Sequence, residues 1–185
     1  MKRSTIIIIA VVVLLVGWVW SGYNGFITAH EAVDGSWAQV ETQYQRRVDL
    51  IPNLVSSVKG AAEFERGTFV EITEARTKWM NAGNRTEKVS AANGMEGALG
   101  RLMLTFENYP TLQATQAYRD LMTQLEGTEN RIAVSRRDYN DIVRIYNVRV
   151  KRFPAVLLAG AFGFAAEEFF AAEEGAEDAP EVNFE

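Results

Sequence analysis

The sequence predicts an all-α protein: an antiparallel four-helix bundle with long helices, preceded by one N-terminal transmembrane helix. Three observations predict it. An unbroken apolar run, Ile6 to Trp20, follows Met1-Lys2-Arg3. Downstream, apolar residues recur every three or four positions, which is the period of one helix face. No strand-like alternation of useful length occurs. Short connections between such helices favour antiparallel neighbours. The expected division is an anchor over 1–23, a bundle over 24–153, and an apolar then acidic segment over 154–185.

From Thr5 to Tyr23 the first segment has about the ~20 residues that a helix needs to cross a hydrocarbon core. Ile6, Leu14, Trp18 and Trp20 are its candidate anchor residues. A cleaved signal peptide would end on small residues, whereas this run ends on Trp18, Trp20 and Tyr23, rings suited to the headgroup layer. With no Cys, the chain has no site for a lipoprotein's lipid. Lys2 and Arg3 precede the run and the next basic residue is Arg46. The positive-inside rule therefore expects a cytoplasmic N-terminus and an exported domain.

In the first bundle helix the stripe is Phe26, His30, Val33, Trp37, Val40 and Tyr44. No Pro separates it from the anchor, so the two are expected to join. The stretch Arg46 to Pro52 is read as a break, because Pro fits a first turn and not a helix interior. Helix two then opens near Pro52 with the stripe Val55, Val58, Ala62, Glu65, Phe69, Ile72, Arg76 and Trp79. Asn81 to Arg85 is a turn, with Thr86 the expected N-cap of helix three. That helix carries Val89, Ala92, Leu99, Met103 and Phe106, weakened by Gly94, Gly97 and Gly100, and Tyr109-Pro110 ends it. The glycines allow either close helix approach or a poorly formed turn. Helix four is read as the longest. Ala114, Tyr118, Leu121, Leu125, Thr128, Ile132, Ser135, Tyr139, Ile142 and Tyr146 form a coiled-coil-like seam that runs to about Phe153. At ~1.5 Å per residue this helix is on the order of 60 Å long.

Chemistry is conspicuous by what is missing. There is one His and no Cys, so base-assisted nucleophiles and zinc sites lack their parts. No Glu-x-x-His pair, calcium loop or phosphate-binding Gly-rich loop occurs. The expectation is no catalytic residue, no cofactor and no metal. Net charge is −5, with no basic tract, so nucleic acid is not an expected partner. His30 is read as a satisfied core or interface residue. Glu65, Arg76, Thr128 and Ser135 fall on core stripes, which favours a paired polar layer that fixes helix register. Tyr139-Asn140 and Tyr146-Asn147 recur one heptad apart and are read as seam tyrosines with hydrogen-bonded tips. Phe153 to Phe164 carries no charge and Phe169-Phe170 follow, too short to span a membrane as a helix. Packing on its own bundle, on a neighbouring subunit or on lipid are the open fates, and the first two are favoured.

These motifs together resemble the LemA family of bacterial membrane proteins. The resemblance rests on RRVDLIPNLV at Arg46–Val55, Val58-Lys59-Gly60 and Thr73-Glu74-Ala75-Arg76. It also rests on Thr128-Glu129-Asn130-Arg131-Ile132-Ala133, the two Tyr-Asn pairs, Phe153-Pro154 and the AGAFGF ending with its acidic tail. It implies one N-terminal transmembrane helix and an antiparallel helical bundle, and it supplies no activity. It also implies a short external N-terminus and a cytoplasmic domain, opposite to the charge reading. Phe64 stands where members commonly carry His, and His30-Glu31 where they often carry Arg-Asn, so a shared His-dependent activity is not expected.

The candidate residues are accordingly a bundle-turn motif of Arg47, Asp49, Pro52 and Asn53, and a polar core of Glu65, Arg76, Glu129 and Asn130. Phe153, Phe162, Phe164, Phe169 and Phe170 are the candidates for self-association. The expected role is a non-enzymatic, single-pass scaffold or adaptor in the bacterial cell (inner) membrane, with its bundle on the exported side. It self-associates laterally as a homo-oligomer. The alternative is an accessory subunit of a membrane-bound enzyme such as a peptidase, holding clients.

Overall fold

A computed structural model describes residues 3–58, 66–107, 109 and 115–171. Glu65, Phe64, Ala114 and the acidic tail beyond 171 lie outside them. Every regular element of the described residues is a helix: α1 Arg3–Val58, α2 Arg66–Asn81, α3 Arg85–Phe106, α4 Gln116–Lys151 and α5 Ala155–Phe162. It divides into two compact units, Met1–Val40 with Ser135–Phe169, and Glu41–Val134 with Phe170–Glu185.

Helix α1 is the longest element, at 56 residues, and α4 has 36. The expected join between anchor and first bundle helix is present, since α1 continues through Ser21 to Gly25 without interruption. The expected break at Arg46 to Pro52 is absent: Pro52 lies inside α1. Helix three is capped by Asn84 and not by Thr86; Asn84 Oδ1 accepts from the Glu87 N–H at 2.8 Å. The Glu87 carboxylate in turn accepts from the Asn84 side-chain amide and from the Gly83 N–H, one residue before the N-cap, both at 2.7 Å. α3 runs unbroken past its glycines, and a Cβ added at Gly94 or Gly100 would meet nothing within 4 Å. They mark no close approach.

In the first unit α1 and α4 run antiparallel. Trp37 meets Tyr139 edge-on at 5.4 Å, His30 meets Tyr146 at 5.6 Å, and the Arg149 guanidinium lies 5.6 Å from the Phe26 ring. Indices fall on one helix as they rise on the other. Phe26, Val33 and Val40 are fully buried, as the 3-4 spacing demands. In the same unit the residues from Ile6 to Val16 stay exposed, and an 18-residue apolar window with mean hydropathy 2.5 contains no buried residue. This one helix is long and apolar enough to cross a membrane and fits an anchor.

The second unit is built from the rest of α1, α2, α3 and the start of α4. Tyr44 packs on Trp79 of α2 at 4.8 Å, and Phe106 of α3 on Tyr118 of α4 at 5.1 Å. Arg101 of α3 donates to Glu71 of α2 at 2.9 Å. Along α4, Leu121, Leu125, Thr128, Ile132, Ser135 and Tyr139 are all buried, as the seam predicts. Beyond Tyr139 the seam widens: Val143 is buried where Ile142 was expected, and Asn147 is buried beside Tyr146, which is buried as expected. A straight helix has 3.6 residues per turn, and a 3.5-residue stripe drifts across its face.

Candidate functional site

The second unit holds a polar centre made by two arginines. Arg47 is 2% exposed, an unusual place for a guanidinium. Its Nη2 pairs with the Glu129 carboxylate on α4, and its Nε points to Thr128 Oγ1 at 3.5 Å. The Thr128 hydroxyl in turn donates to the Leu125 carbonyl at 2.8 Å. The two motifs around Arg47 and Thr128-Glu129 therefore meet in space. A cavity of about 370 Å³ opens beside them, lined by Arg47, Leu99, Met103, Met122 and Leu125 with Glu96, Glu126 and Glu129. Glu96 accepts a hydrogen bond from the Tyr44 hydroxyl at 2.6 Å.

The second arginine explains how α1 passes its proline. Pro52 has no N–H, so the carbonyl four residues earlier, that of Val48, loses its helical partner. Arg76 of α2 donates its Nε to the Val48 carbonyl at 3.3 Å. Val48, Ile51 and Leu54 around the gap are all buried, at 0%, 1% and 0% exposure. An unpartnered carbonyl there would carry its full desolvation cost, about 1–3 kcal/mol. The Arg46–Val55 and Thr73–Arg76 motifs are thus two halves of one repair. The turn assigned to Arg47, Asp49, Pro52 and Asn53 is corrected: all four lie in α1. Asp49, Pro52 and Asn53 face outward, and Asp49 accepts from Gln45 at 2.9 Å.

Of the expected polar core, Arg76 is half-buried and does this work, while Glu65 lies outside the described residues. Glu129 keeps its Arg47 contact with 57% of its side chain exposed, and Asn130 is exposed, so neither is buried as expected. Both lie on the face of α4 between the buried seam residues Thr128 and Ile132 that looks toward solvent.

In the first unit a different device appears. The chain after α5 has no regular structure through 164–170, so its backbone polar groups need side-chain partners. Asn147 grips Glu167 twice: its Nδ2 donates to the Glu167 carbonyl and its Oδ1 accepts the Glu167 N–H, both at 2.8 Å. The Tyr139 hydroxyl donates to the Glu168 carbonyl at 2.9 Å. His30 stands between Asp34, at 3.4 Å, and Glu167, at 3.1 Å. Tyr146 is 1% exposed; burial raises the pKa of its phenol, and Glu167 and Asp34 raise it further. The Tyr-Asn repeat is therefore a clamp for the C-terminal segment. Sequence reasoning placed its tyrosines on the seam but gave no partner to the asparagine.

The self-association candidates separate. Phe164 stacks on Phe26 at 5.0 Å, and Phe162 meets Tyr23 edge-on at 5.0 Å. In the second unit Phe170 is 4% exposed and stacks on Tyr44 at 6.0 Å. Phe164 and Phe170 are thus occupied by their own chain, because the segment returns to pack on helices that already present aromatic rings. Phe153 and Phe169 remain 76% and 50% exposed. Ile6, Leu14, Trp18 and Trp20 of the anchor are exposed, Trp20 by 71%.

Comparison with known proteins agrees with these motifs. The LemA family model matches residues 36–184. Magnetosome protein MamQ 2 of Paramagnetospirillum magneticum is 32% identical over 184 aligned residues, covering 85% of this chain and 67% of that protein. Magnetosome protein MamQ of Magnetospirillum gryphiswaldense is 30% identical, covering 80% of this chain and 64% of its own length. Protein LemA of Metamycoplasma hominis is 25% identical, covering 70% of this chain and 60% of its own. With the family model matching most of its length, this chain belongs to the LemA family.

Proposed function

We propose that this LemA-family protein is a non-enzymatic, single-pass membrane scaffold that self-associates laterally. In this reading α1 crosses the membrane once, and α1 to α4 form an antiparallel four-helix bundle on the exported side. The observation that carries it is α1 itself. One helix supplies both the exposed apolar segment and, from Phe26 to Leu54, a buried core stripe. Copies anchored this way stand parallel in one membrane, which raises their effective concentration. Exposed apolar residues on α4, Ile145 at 61% and Val148 at 55%, supply a face for a second copy.

The test is the number of copies per particle in mild detergent. The wild-type chain is expected to run as an oligomer, and Ile145→Glu with Val148→Glu as a monomer. A wild-type monomer at high concentration would refute lateral self-association.

The accessory-subunit reading is favoured by one feature of the second unit. An open groove of about 770 Å³ runs between α2 and α3, floored by Ala75, Ala91, Gly94 and Ala98 and edged by Glu74 and Arg101. It has room for an extended client of a membrane-bound enzyme such as a peptidase. Crosslinking in native membranes separates the two readings: recovery of the chain alone supports the scaffold, and recovery of a membrane enzyme supports the accessory subunit.

A further inference from the structure

Besides the anchor run, the first unit exposes a further apolar cluster next to Ile145 and Val148 of α4 that its own packing does not cover. Phe153 is 76% exposed, Leu157 62% and Val156 40%. All three lie where α4 ends and α5 begins. Lys151 and Arg152, both exposed, stand immediately before them, and Arg149 shares the last turn of α4.

Contacts within this unit fix the height of that cluster along α1. Arg149 faces Gly25 and Phe26, so the antiparallel register brings Phe153 and Pro154 to about the level of Gly22. α5 itself lies against the same turn. Leu158 comes so near the α1 backbone that a Cβ on Gly22 would sit 2.5 Å from its Cδ1. Phe162 and Phe164 pack on Tyr23 at 5.0 and 5.9 Å. Gly22 and Tyr23 are also where the apolar segment ends: about 20 residues from Arg3 use up the ~30 Å of a hydrocarbon core at 1.5 Å per residue. Trp18 and Trp20 mark the same boundary from the other side.

We propose that α5 and the end of α4 form a second membrane contact, a foot that rests in the lipid headgroup layer beside the point where α1 emerges. Phe153, Val156 and Leu157 enter the upper acyl region. Lys151 and Arg152 lie along the surface with their charges on anionic phosphate, as long basic side chains do at an interface. The occupant is a phospholipid bilayer. The cluster lies level with the end of the apolar segment that anchors the chain, and the charge of Lys151 and Arg152 beside it is complementary to anionic headgroups. Glu167 does not oppose this, since its carboxylate is engaged by His30 at 3.1 Å. The foot rests on the reading that α1 crosses the membrane, and it fixes the bundle's tilt, because a helix held at one point pivots and a helix held at two does not.

The chain has no cysteine, so single labels can be placed without background. Leu14→Cys, Phe153→Cys, Leu157→Cys and Arg137→Cys are each labelled with an environment-sensitive fluorophore in the full chain, and circular dichroism checks that each variant retains its helix content. The proteins are reconstituted in nanodiscs holding one copy, made of phosphatidylcholine with or without phosphatidylglycerol. Labels at 14, 153 and 157 are expected to be quenched by spin-labelled lipid and shielded from aqueous iodide. The label at 137, where the native side chain is 70% exposed, is expected to behave in the opposite way. Lipid quenching at 14 with iodide access at 153 and 157 would overturn the foot and leave the anchor standing. Iodide access at 14 as well would overturn both. Shielding at 157 that appears only when discs hold two copies would assign the cluster to a neighbouring chain and overturn the proposal. Lys151→Glu with Arg152→Glu is expected to lower lipid quenching at 157 by at least about twofold in the anionic discs and to change it little in phosphatidylcholine. No change in either would overturn the charge contact.

Discussion

The two units of this protein meet the same requirement, satisfying buried backbone groups, by opposite means. In the second unit the backbone is helical and the fault is internal: Pro52 frees the Val48 carbonyl, and Arg76 of another helix supplies the donor. In the first unit the backbone after α5 is irregular, and Asn147 and Tyr139 of α4 hold it by its own peptide groups. One unit spends charged side chains where they are buried, and the other spends neutral ones. Charged partners are stronger when matched and costlier when orphaned. The second unit should therefore be the more fragile to single substitutions, and the first the more tolerant.

The largest expected effect follows from the unequal burial of one ion pair. Glu129→Gln leaves Arg47 buried without its carboxylate and should cost about 3 kcal/mol in chemical denaturation. Arg47→Met leaves only a largely exposed Glu129 behind, so its cost should be within about 1 kcal/mol. A larger loss for Arg47→Met than for Glu129→Gln would reverse the account of this centre. Next in size, Arg76→Leu should destabilise by about 1–3 kcal/mol, the cost of an orphaned carbonyl. Pro52→Ala restores a helical donor to Val48, so in its background Arg76→Leu should cost much less. A double-mutant cycle with no coupling would show that the two residues do not serve the same carbonyl.

In the first unit, Asn147→Leu removes both bonds to Glu167 and should cost about 1–2 kcal/mol, since neutral bonds are weaker. Limited proteolysis should then cut within 164–169 sooner than in the wild type, while Glu129→Gln should not change that site's rate. The smallest effect concerns pH. Below the ordinary phenol pKa, about 10, Tyr146 is neutral whether folded or not. Its folded pKa is raised, so between 10 and that higher value the unfolded chain ionises first, and stability falls as pH rises. Tyr146→Phe should flatten that part of the decline, read from denaturation midpoints between pH 9 and 11. An unchanged slope would place the alkaline loss elsewhere.

Particular elements show how far the sequence could be read. The stripe on α4 was legible from Leu121 to Tyr139 because a repeating spacing is a local property, and its buried Thr128 and Ser135 came with it. Thr86 was a poor guide to the start of α3, since Asn84 and Glu87 bond each other in both directions. Pro52 misled for a sharper reason. Its effect on a helix depends on whether the orphaned carbonyl finds a donor, and that donor is 28 positions away. The aromatic residues of the C-terminal segment were visible as apolar, but their packing against Tyr23, Phe26 and Tyr44 was not.

By itself the sequence determined that the chain is helical, that it opens with an apolar segment fit for a membrane, and that it carries the motifs of the LemA family. These are properties of composition and short-range period, and they survive without knowledge of any partner. Only the tertiary structure decided that Arg47 is buried, that α1 continues through its proline, and that the Tyr-Asn repeat grips the chain's own C-terminal segment. Each of those outcomes is a hydrogen bond between residues distant in sequence, and such a bond exists only once packing has brought a donor to an acceptor and excluded water from both.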